Sequence, residues 1–170
     1  LVGISHECDF PPALLDRPRL SRPRFDPQGM DSGEIDRAVR RAMAEHGSVY
    51  AVDADLLAEL APDLILTQEL CHVCAVTPDQ LNRAIESLAQ RPVIVTLSPT
   101  SLQDMLADIE RIARAVGKIE GGRALVDTLR RRLDLVRSRA EARHHRPRIE
   151  CLEWLAPLYL AGHGVPEKLE

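Results

Sequence analysis

Cysteines and histidines stand in polar segments of this chain, where thiols and imidazoles are available for chemistry. Cys71 and Cys74 form a Cys-x-x-Cys pair around His72, while His6 and Cys8 lie near the start of the chain. A Cys-x-x-Cys pair with a third thiolate and an imidazole suits tetrahedral zinc, and soft ligands also suit copper(I) or iron–sulfur centres. The first hypothesis is therefore a zinc or iron site formed by His6, Cys8, Cys71 and Cys74.

Two other interpretations of the same residues stay open. In the first, Cys71 and Cys74 form a local disulfide or are partly buried thiols, and His6 hydrogen-bonds at the end of a strand. In the second, one of these thiols is the nucleophile of a thiol-dependent enzyme, with His6 or His72 as its base. The surrounding residues lack the motif typical of thioredoxin-like proteins, which argues against redox catalysis.

The composition excludes several classes of protein. The chain has 170 residues and a net charge of −4, which argues against nucleic acid as a partner. No apolar run approaches the roughly 20 residues of a membrane span. Four cysteines are too few for a disulfide scaffold. The first residues do not form a signal peptide, and Leu1–Ser5 has the pattern of a strand already under way, so we expect a longer protein.

Apolar runs and capping signals predict alternating strands and helices. Strands are expected at 1–5, 49–52, 64–66, 93–97 and 148–152. Helices are expected after the capping box of Asp31 and Glu34, after Asp53 or Asp55, and from Pro78. A last helical segment is predicted from a capping box of Thr100 and Gln103 to about Arg143, interrupted at Gly117 and at Gly121–Gly122. It spans roughly 60 Å if it is nearly continuous.

This alternation predicts an α/β fold with a mostly parallel sheet flanked by helices. The loops at the carboxyl ends of parallel strands lie at one edge of a sheet, where such folds bind their ligands. We therefore expect the loops at 6–10 and 68–74 to lie close together, with His163 across a cleft. The candidate ligand-binding residues are His6, Glu7, Cys8, Asp9, Phe10, Gln68, Glu69, Cys71, His72, Cys74 and His163.

Four segments in the same order resemble a known family. They are the strand and loop from Val2 to Pro12, the strand from Leu60 to Leu66, the strand and helix start from Val93 to Met105, and the segment from Arg148 to Glu167. Together they resemble the class III substrate-binding proteins of ABC importers for cobalamin and siderophores. The Ser-His-Glu-Cys-Asp and Cys-x-x-Cys motifs are similar to those of a cobalamin-binding subgroup.

The resemblance implies two α/β lobes joined by a rigid helix, with the ligand held between them. Residues 1–100 then form the N-terminal lobe without its first strand, 101–146 the interlobe spine helix, and 147–170 one strand of a truncated second lobe. Such a chain has an exposed strand edge, so a homodimer of the truncated chain is expected.

The resemblance also implies binding without catalysis: capture of cobalamin, a related corrinoid or a metal chelate, with no cofactor required. His6 or His72 is then a candidate axial ligand of cobalt, and Asp55 a candidate contact with the importer permease. The family implies a periplasmic or extracytoplasmic location, and the lack of a signal peptide leaves the cytoplasm open. Importer proteins for cobalamin stack aromatic rings on the corrin, whereas this chain has two Phe, two Tyr and one Trp.

Overall fold

The computed structural model describes residues 1–69, 78–86, 88–143 and 147–162, with backbone only for Pro78 and Asp79. The chain divides into two compact units, 1–97 and 98–170. Within the described ranges, no helix combines the length and the apolar content that crossing a bilayer requires.

The described elements form an α/β fold, as predicted. The first unit contains a short 3-10 helix Pro12–Leu14, β1 Ser21–Pro23, α1 Ser32–His46, β2 Tyr50–Val52, α2 Ala54–Leu60, β3 Leu64–Gln68, α3 Pro78–Ile85 and β4 Val93–Leu97. The second unit contains α4 Leu102–Ala115, α5 Ile119–Glu141, β5 Leu152–Leu155 and β6 Leu158–Leu160.

The strands of the first unit pair in twos instead of in one extended sheet. Strands β3 and β4 are parallel, with Leu64 opposite Val93. Strands β1 and β2 are antiparallel. The strand expected at 1–5 is reduced to a single parallel bridge between Ile4 and Arg19. Pro18 and Pro23 lie at the two ends of the segment 18–23 and have no N–H to donate to a neighbouring strand. The pairings of this segment with Ile4 and with β2 are therefore short.

The core of the first unit lies between its helices and strands. Leu57 of α2 packs with Leu81, Ala84 and Ile85 of α3, and all four are buried. The partly buried side chains around them come from both strand pairs and the adjoining segments: Leu20, Val52, Ile65, Leu88 and Ile94. The spacing of three and four residues along α3 is that of one helix face.

The helix starts are set by side-chain caps. The capping box of Asp31 and Glu34 is present at α1. Asp53 caps α2 by accepting a hydrogen bond from the Leu56 N–H at 3.0 Å. Asp55 lies inside the first turn of α2 and does not cap it. This leaves its carboxylate available for another role.

The cap of α4 differs from the prediction by one residue. The capping box is formed by Ser101 and Asp104, not by Thr100 and Gln103. The Asp104 carboxylate accepts hydrogen bonds from the Thr100 N–H at 3.0 Å, the Thr100 hydroxyl at 2.9 Å and the Ser101 N–H at 2.9 Å. A carboxylate accepts more of these donors than an amide oxygen does, which explains the choice of Asp104 over Gln103.

The cap predicts a pH dependence of helix α4. Hydrogen bonds from Ser101, and then from Thr100, hold the pKa of Asp104 below its ordinary value of 3.8. The cap therefore contributes stability that is present above that ordinary value and is lost as the pH falls through the lowered pKa. Thermal unfolding followed by circular dichroism below about pH 4 should show this loss in the wild-type protein and not in Asp104→Asn. An equal slope in both proteins would contradict the assignment.

The predicted long helix is two helices. Gly117, with a φ of +68°, closes α4 in the left-handed conformation, and the Lys118 N–H donates to the Ala113 carbonyl at 2.7 Å. This is the usual glycine-dependent end of a helix. The adjacent Gly121 and Gly122 lie within α5 and do not interrupt it. The predicted interruption at Gly117 is therefore confirmed and the one at Gly121–Gly122 is not, while the domain boundaries drawn around this segment remain predictions.

The last described strands form a hairpin. Strand β5 begins at Leu152 instead of Arg148, and β6 pairs with it in antiparallel fashion, with Leu155 opposite Leu158. Pro157 lies in the turn between them, where its missing N–H costs no ladder bond. The expected single strand is thus two short ones, and the predicted homodimer remains a prediction.

Candidate functional site

The loop at residues 5–10 is anchored to the segment that leads into β1. The Ile4 N–H donates to the Pro18 carbonyl at 2.9 Å, and the Leu20 N–H donates to the Ile4 carbonyl at 2.8 Å. The Arg19 guanidinium donates to the His6 carbonyl at 2.6 Å and lies 3.5 Å from the Ser5 carbonyl. These bonds fix the backbone from which the side chain of His6 projects.

The His6 ring is held in one orientation. Its Nδ1 lies 2.7 Å from the Ser21 Oγ, which also accepts the His6 backbone N–H at 3.1 Å. The ring centroid lies 4.8 Å from that of Tyr50, at a tilt of 50°. The side chain of His6 is only 15% exposed. An imidazole fixed on one edge and one face has little rotational freedom to lose when it binds a ligand.

The other ring nitrogen of His6 faces a carboxylate. Nε2 lies 3.1 Å from the Glu7 Oε1, close enough for an ion pair when the imidazole is protonated. Nε2 is itself buried, and it forms no hydrogen bond with any described residue. The Glu7 side chain is 75% exposed. The His6 Nε2 is therefore buried, whereas the Glu7 side chain that faces it is largely exposed to solvent.

Tyr50 connects the His6 loop with the start of α3. The Gln80 Nε2 lies 3.5 Å from the Tyr50 carbonyl, to which the Arg24 Nε donates at 3.1 Å. Gln80 lies in the first turn of α3. The structure thus connects His6, through Tyr50, with the first turn of α3. The predicted residues Cys71, His72 and Cys74 lie outside the described residues, as does His163.

The remaining described candidates lie in two places. In the first loop, Cys8 is half-buried and its N–H donates to the Ser5 carbonyl at 3.1 Å, while Asp9 and Phe10 are exposed. Gln68 is the last residue of β3 and Glu69 follows it; the Glu69 N–H donates to the carbonyl of Leu97, the last residue of β4, at 3.0 Å. Within the described part of the chain, neither of these two residues hydrogen-bonds to the His6 loop.

The predicted metal site stays a prediction. Among the described residues, no three His, Cys, Asp or Glu side chains form a cluster that could hold a metal ion. Two of the four proposed ligands, Cys71 and Cys74, lie outside those residues. The hypothesis of a thiol nucleophile depends on the same two cysteines and also remains untested.

The sequence prediction missed the residues that orient His6. Ser21 lies in a proline-rich stretch in which no strand was predicted, and Tyr50 was considered only as part of a strand. Ser21 and its partner His6 are 15 residues apart along the chain, so no local pattern in the sequence joins them.

Comparison with known proteins supports the fold. No protein-family model matches this chain, and no curated protein matches it in sequence. Among solved structures, the fold is similar to that of a periplasmic heme-binding protein, BhuT in complex with two hemes (holo-2 form), with a TM-score of 0.61 and 20% identity. The match covers 89% of this chain and 46% of that protein. The chain therefore spans less than half of that protein's length and has part of the same fold.

Proposed function

We propose that this chain is part of a substrate-binding protein that captures a metallated tetrapyrrole, either heme or a cobalamin-type corrinoid, for ABC-type import. The proposal is supported by the likeness in fold to a heme-binding protein and by the resemblance of four sequence segments to importer proteins. The observation that carries it is the loop at 5–10, which holds an oriented imidazole and an exposed phenyl ring four residues apart.

The two rings suit the two parts of a tetrapyrrole. Phe10 is 80% exposed, in a loop that is otherwise polar. A large, flat apolar ring system stacks on such a side chain and covers it. The metal at the centre of the tetrapyrrole requires a nitrogen, oxygen or sulfur ligand, and imidazole is the commonest metal ligand among side chains. His6 supplies that group in the same loop.

The proposed role is capture and delivery without a chemical step. The protein binds its ligand outside the cytoplasm and presents it to an importer permease. This location and this partner are part of the proposal, as is the choice between heme and corrinoid. The alternative of a bare zinc or iron ion needs ligands beyond His6 and Cys8.

The direct test is a titration of the protein with hemin and, separately, with aquocobalamin. Binding of either compound should shift its visible absorption bands and reach saturation at one ligand site or more. If neither spectrum changes at millimolar ligand, the proposed function is wrong. A response to hemin alone, or to aquocobalamin alone, identifies the class of tetrapyrrole.

Asp55 provides a prediction about the permease. Its carboxylate is exposed in the first turn of α2 and is not used as the cap. We expect Asp55→Ala to leave ligand binding unchanged and to reduce uptake in cells or proteoliposomes by roughly 3–10-fold, as for the loss of an interfacial charge worth about 1 kcal/mol.

The matched control for Asp55 is Glu59→Ala, which removes another exposed acid from the same short helix. Uptake by this variant should equal that of the wild-type protein. Equal uptake by Asp55→Ala and the wild-type protein would remove Asp55 from the docking surface and leave the ligand proposal intact.

A further inference from the structure

We propose that Nε2 of His6 is the axial ligand of the tetrapyrrole metal, and that Glu7 covers this nitrogen until the ligand arrives. This inference rests on the proposed function, because it names the atom that would bind the metal.

The axial role requires the tautomer of His6 in which Nε2 carries the lone pair, and the hydrogen bonds around Ser21 allow that tautomer. The Ser21 hydroxyl donates to the Ser5 Oγ at 3.2 Å. In that tautomer the Ser21 oxygen accepts from the His6 Nδ1–H at 2.7 Å. This tautomer is assigned from the hydrogen-bond network. Metal-binding histidines characteristically donate their second N–H in this way, which fixes the ring and raises the basicity of the other nitrogen.

Glu7 occupies the position that a metal would take. Its Oε1 lies 3.1 Å from Nε2, and a carboxylate facing a nitrogen lone pair gains no hydrogen bond. Because the Glu7 side chain is 75% exposed, it can rotate into water without losing buried contacts. The imidazole, in contrast, is held by Ser21 and Tyr50. An incoming metal would therefore displace the carboxylate and leave the ring in place.

A single fixed imidazole fits a chelated metal better than a bare ion. Structural zinc takes four protein ligands, and the described residues offer no cluster of even three. In a metallated tetrapyrrole, the ring nitrogens already fill the equatorial positions, so the protein needs to supply only an axial ligand. The geometry at His6 meets that requirement with one nitrogen.

His46 provides a built-in contrast. It is the other histidine within the described ranges, and its Nε2 lies 3.8 Å from the Glu45 Oε2. Its side chain is 46% exposed at the end of α1. The described residues therefore include two His–Glu neighbours of similar chemistry, and the imidazole of His6 is oriented by a part-buried hydrogen bond to Ser21. His46→Ala and Glu45→Ala are the matched controls.

The test compares hemin with metal-free protoporphyrin on the full 170-residue chain. His6→Ala should weaken hemin binding by about tenfold or more and abolish the absorption spectrum of imidazole-ligated iron. Added imidazole should restore that spectrum. Protoporphyrin binding should not change, because it has no metal for His6 to ligate. His46→Ala should match the wild-type protein in every measurement.

The neighbouring residues are tested in the same way. Ser21→Ala should weaken hemin binding by roughly tenfold without affecting protoporphyrin, because the ring loses its orientation. Glu7→Ala should strengthen hemin binding, because the cover is gone, whereas Glu45→Ala should not. Weaker hemin binding by Glu7→Ala would overturn the role of Glu7 as a cover.

The outcomes separate this inference from the proposed function. If hemin binds His6→Ala with the affinity and spectrum of the wild-type protein, the axial assignment is wrong and the proposed function stands. If hemin, protoporphyrin and aquocobalamin all fail to bind the wild-type protein, both are wrong. If only aquocobalamin binds, its spectral shift must be lost in His6→Ala.

A variant-free readout covers the case in which His6→Ala does not fold, as judged by circular dichroism. Electron paramagnetic resonance of the wild-type protein with ¹⁵N-labelled histidine should show coupling of the metal to one histidine nitrogen, unchanged in His46→Ala. The absence of that coupling overturns the axial assignment.

Discussion

Replacing Gly122 with leucine is expected to lower the free energy of unfolding by about 3 kcal/mol, because there is no room for a side chain at this position. A Cβ atom built on Gly122 overlaps the methyl group of Ala113 on α4. Helix α5 thus packs against α4 with its backbone at the point of contact. A larger side chain must push the two helices apart, and the neighbouring Val126, which is fully buried, would lose its packing.

Gly121 is the matched control for this prediction. A Cβ at Gly121 meets no atom within 4 Å, so Gly121→Ala adds helix propensity without a clash. It should raise the free energy of unfolding by about 0.5–1 kcal/mol. Urea unfolding followed by circular dichroism measures both variants. Effects of the same sign at the two adjacent glycines would contradict the close approach of α4 and α5.

These glycines show where sequence patterns are ambiguous. The three glycines at 117, 121 and 122 all read as helix breakers, since glycine weakens any helix interior. The structure gives them different roles: Gly117 ends α4 with a positive φ, while Gly122 allows a close contact within α5. The sequence does not contain the position of Ala113 relative to Gly122, which depends on how the chain turns after α4. Tertiary contact, not propensity, decides between the two roles.

The predicted elements with strong local signals were confirmed. Strand β4 and the capping box at Asp31 follow from an apolar run and from a cap spacing, both of which are local. The short pairing of Ser21 with Val52 was not predicted, because the two residues lie far apart along the chain. Local patterns do not specify such a register.

In the candidate site, too, the local features were predicted and the contacts between distant residues were not. His6 was selected from its residue type and from its place after an apolar run, and it lies in a structured loop. Its orientation depends on Ser21 and Tyr50, which come from two other segments. A sequence pattern shows that an imidazole is present, but only the fold determines which ring nitrogen lies against Ser21 and which lies against Glu7. That distinction decides whether the residue can serve as a metal ligand.

Replacing Leu57 with alanine is expected to lower the free energy of unfolding by about 2–5 kcal/mol, the range for a buried leucine. Leu57 is 3% exposed, and its cluster includes the adjoining side chains of Leu20 and Val52. Leu20 immediately precedes Ser21, and Val52 belongs to the strand that carries Tyr50. Loss of this packing should therefore also disturb the positions of Ser21 and Tyr50, which orient His6.

The matched control is Leu15→Ala, at a leucine that is 43% exposed; its effect should stay within about 0.5 kcal/mol. Both variants are compared with the wild-type protein by urea unfolding and by hemin titration at a temperature where each is folded. Because the core supports Ser21 and Tyr50, folded Leu57→Ala should retain protoporphyrin binding and lose part of the imidazole-type hemin spectrum. If the spectrum stays intact while stability falls, the orientation of His6 does not depend on this core, and its loop is fixed by Arg19 and the Ile4 bridge alone.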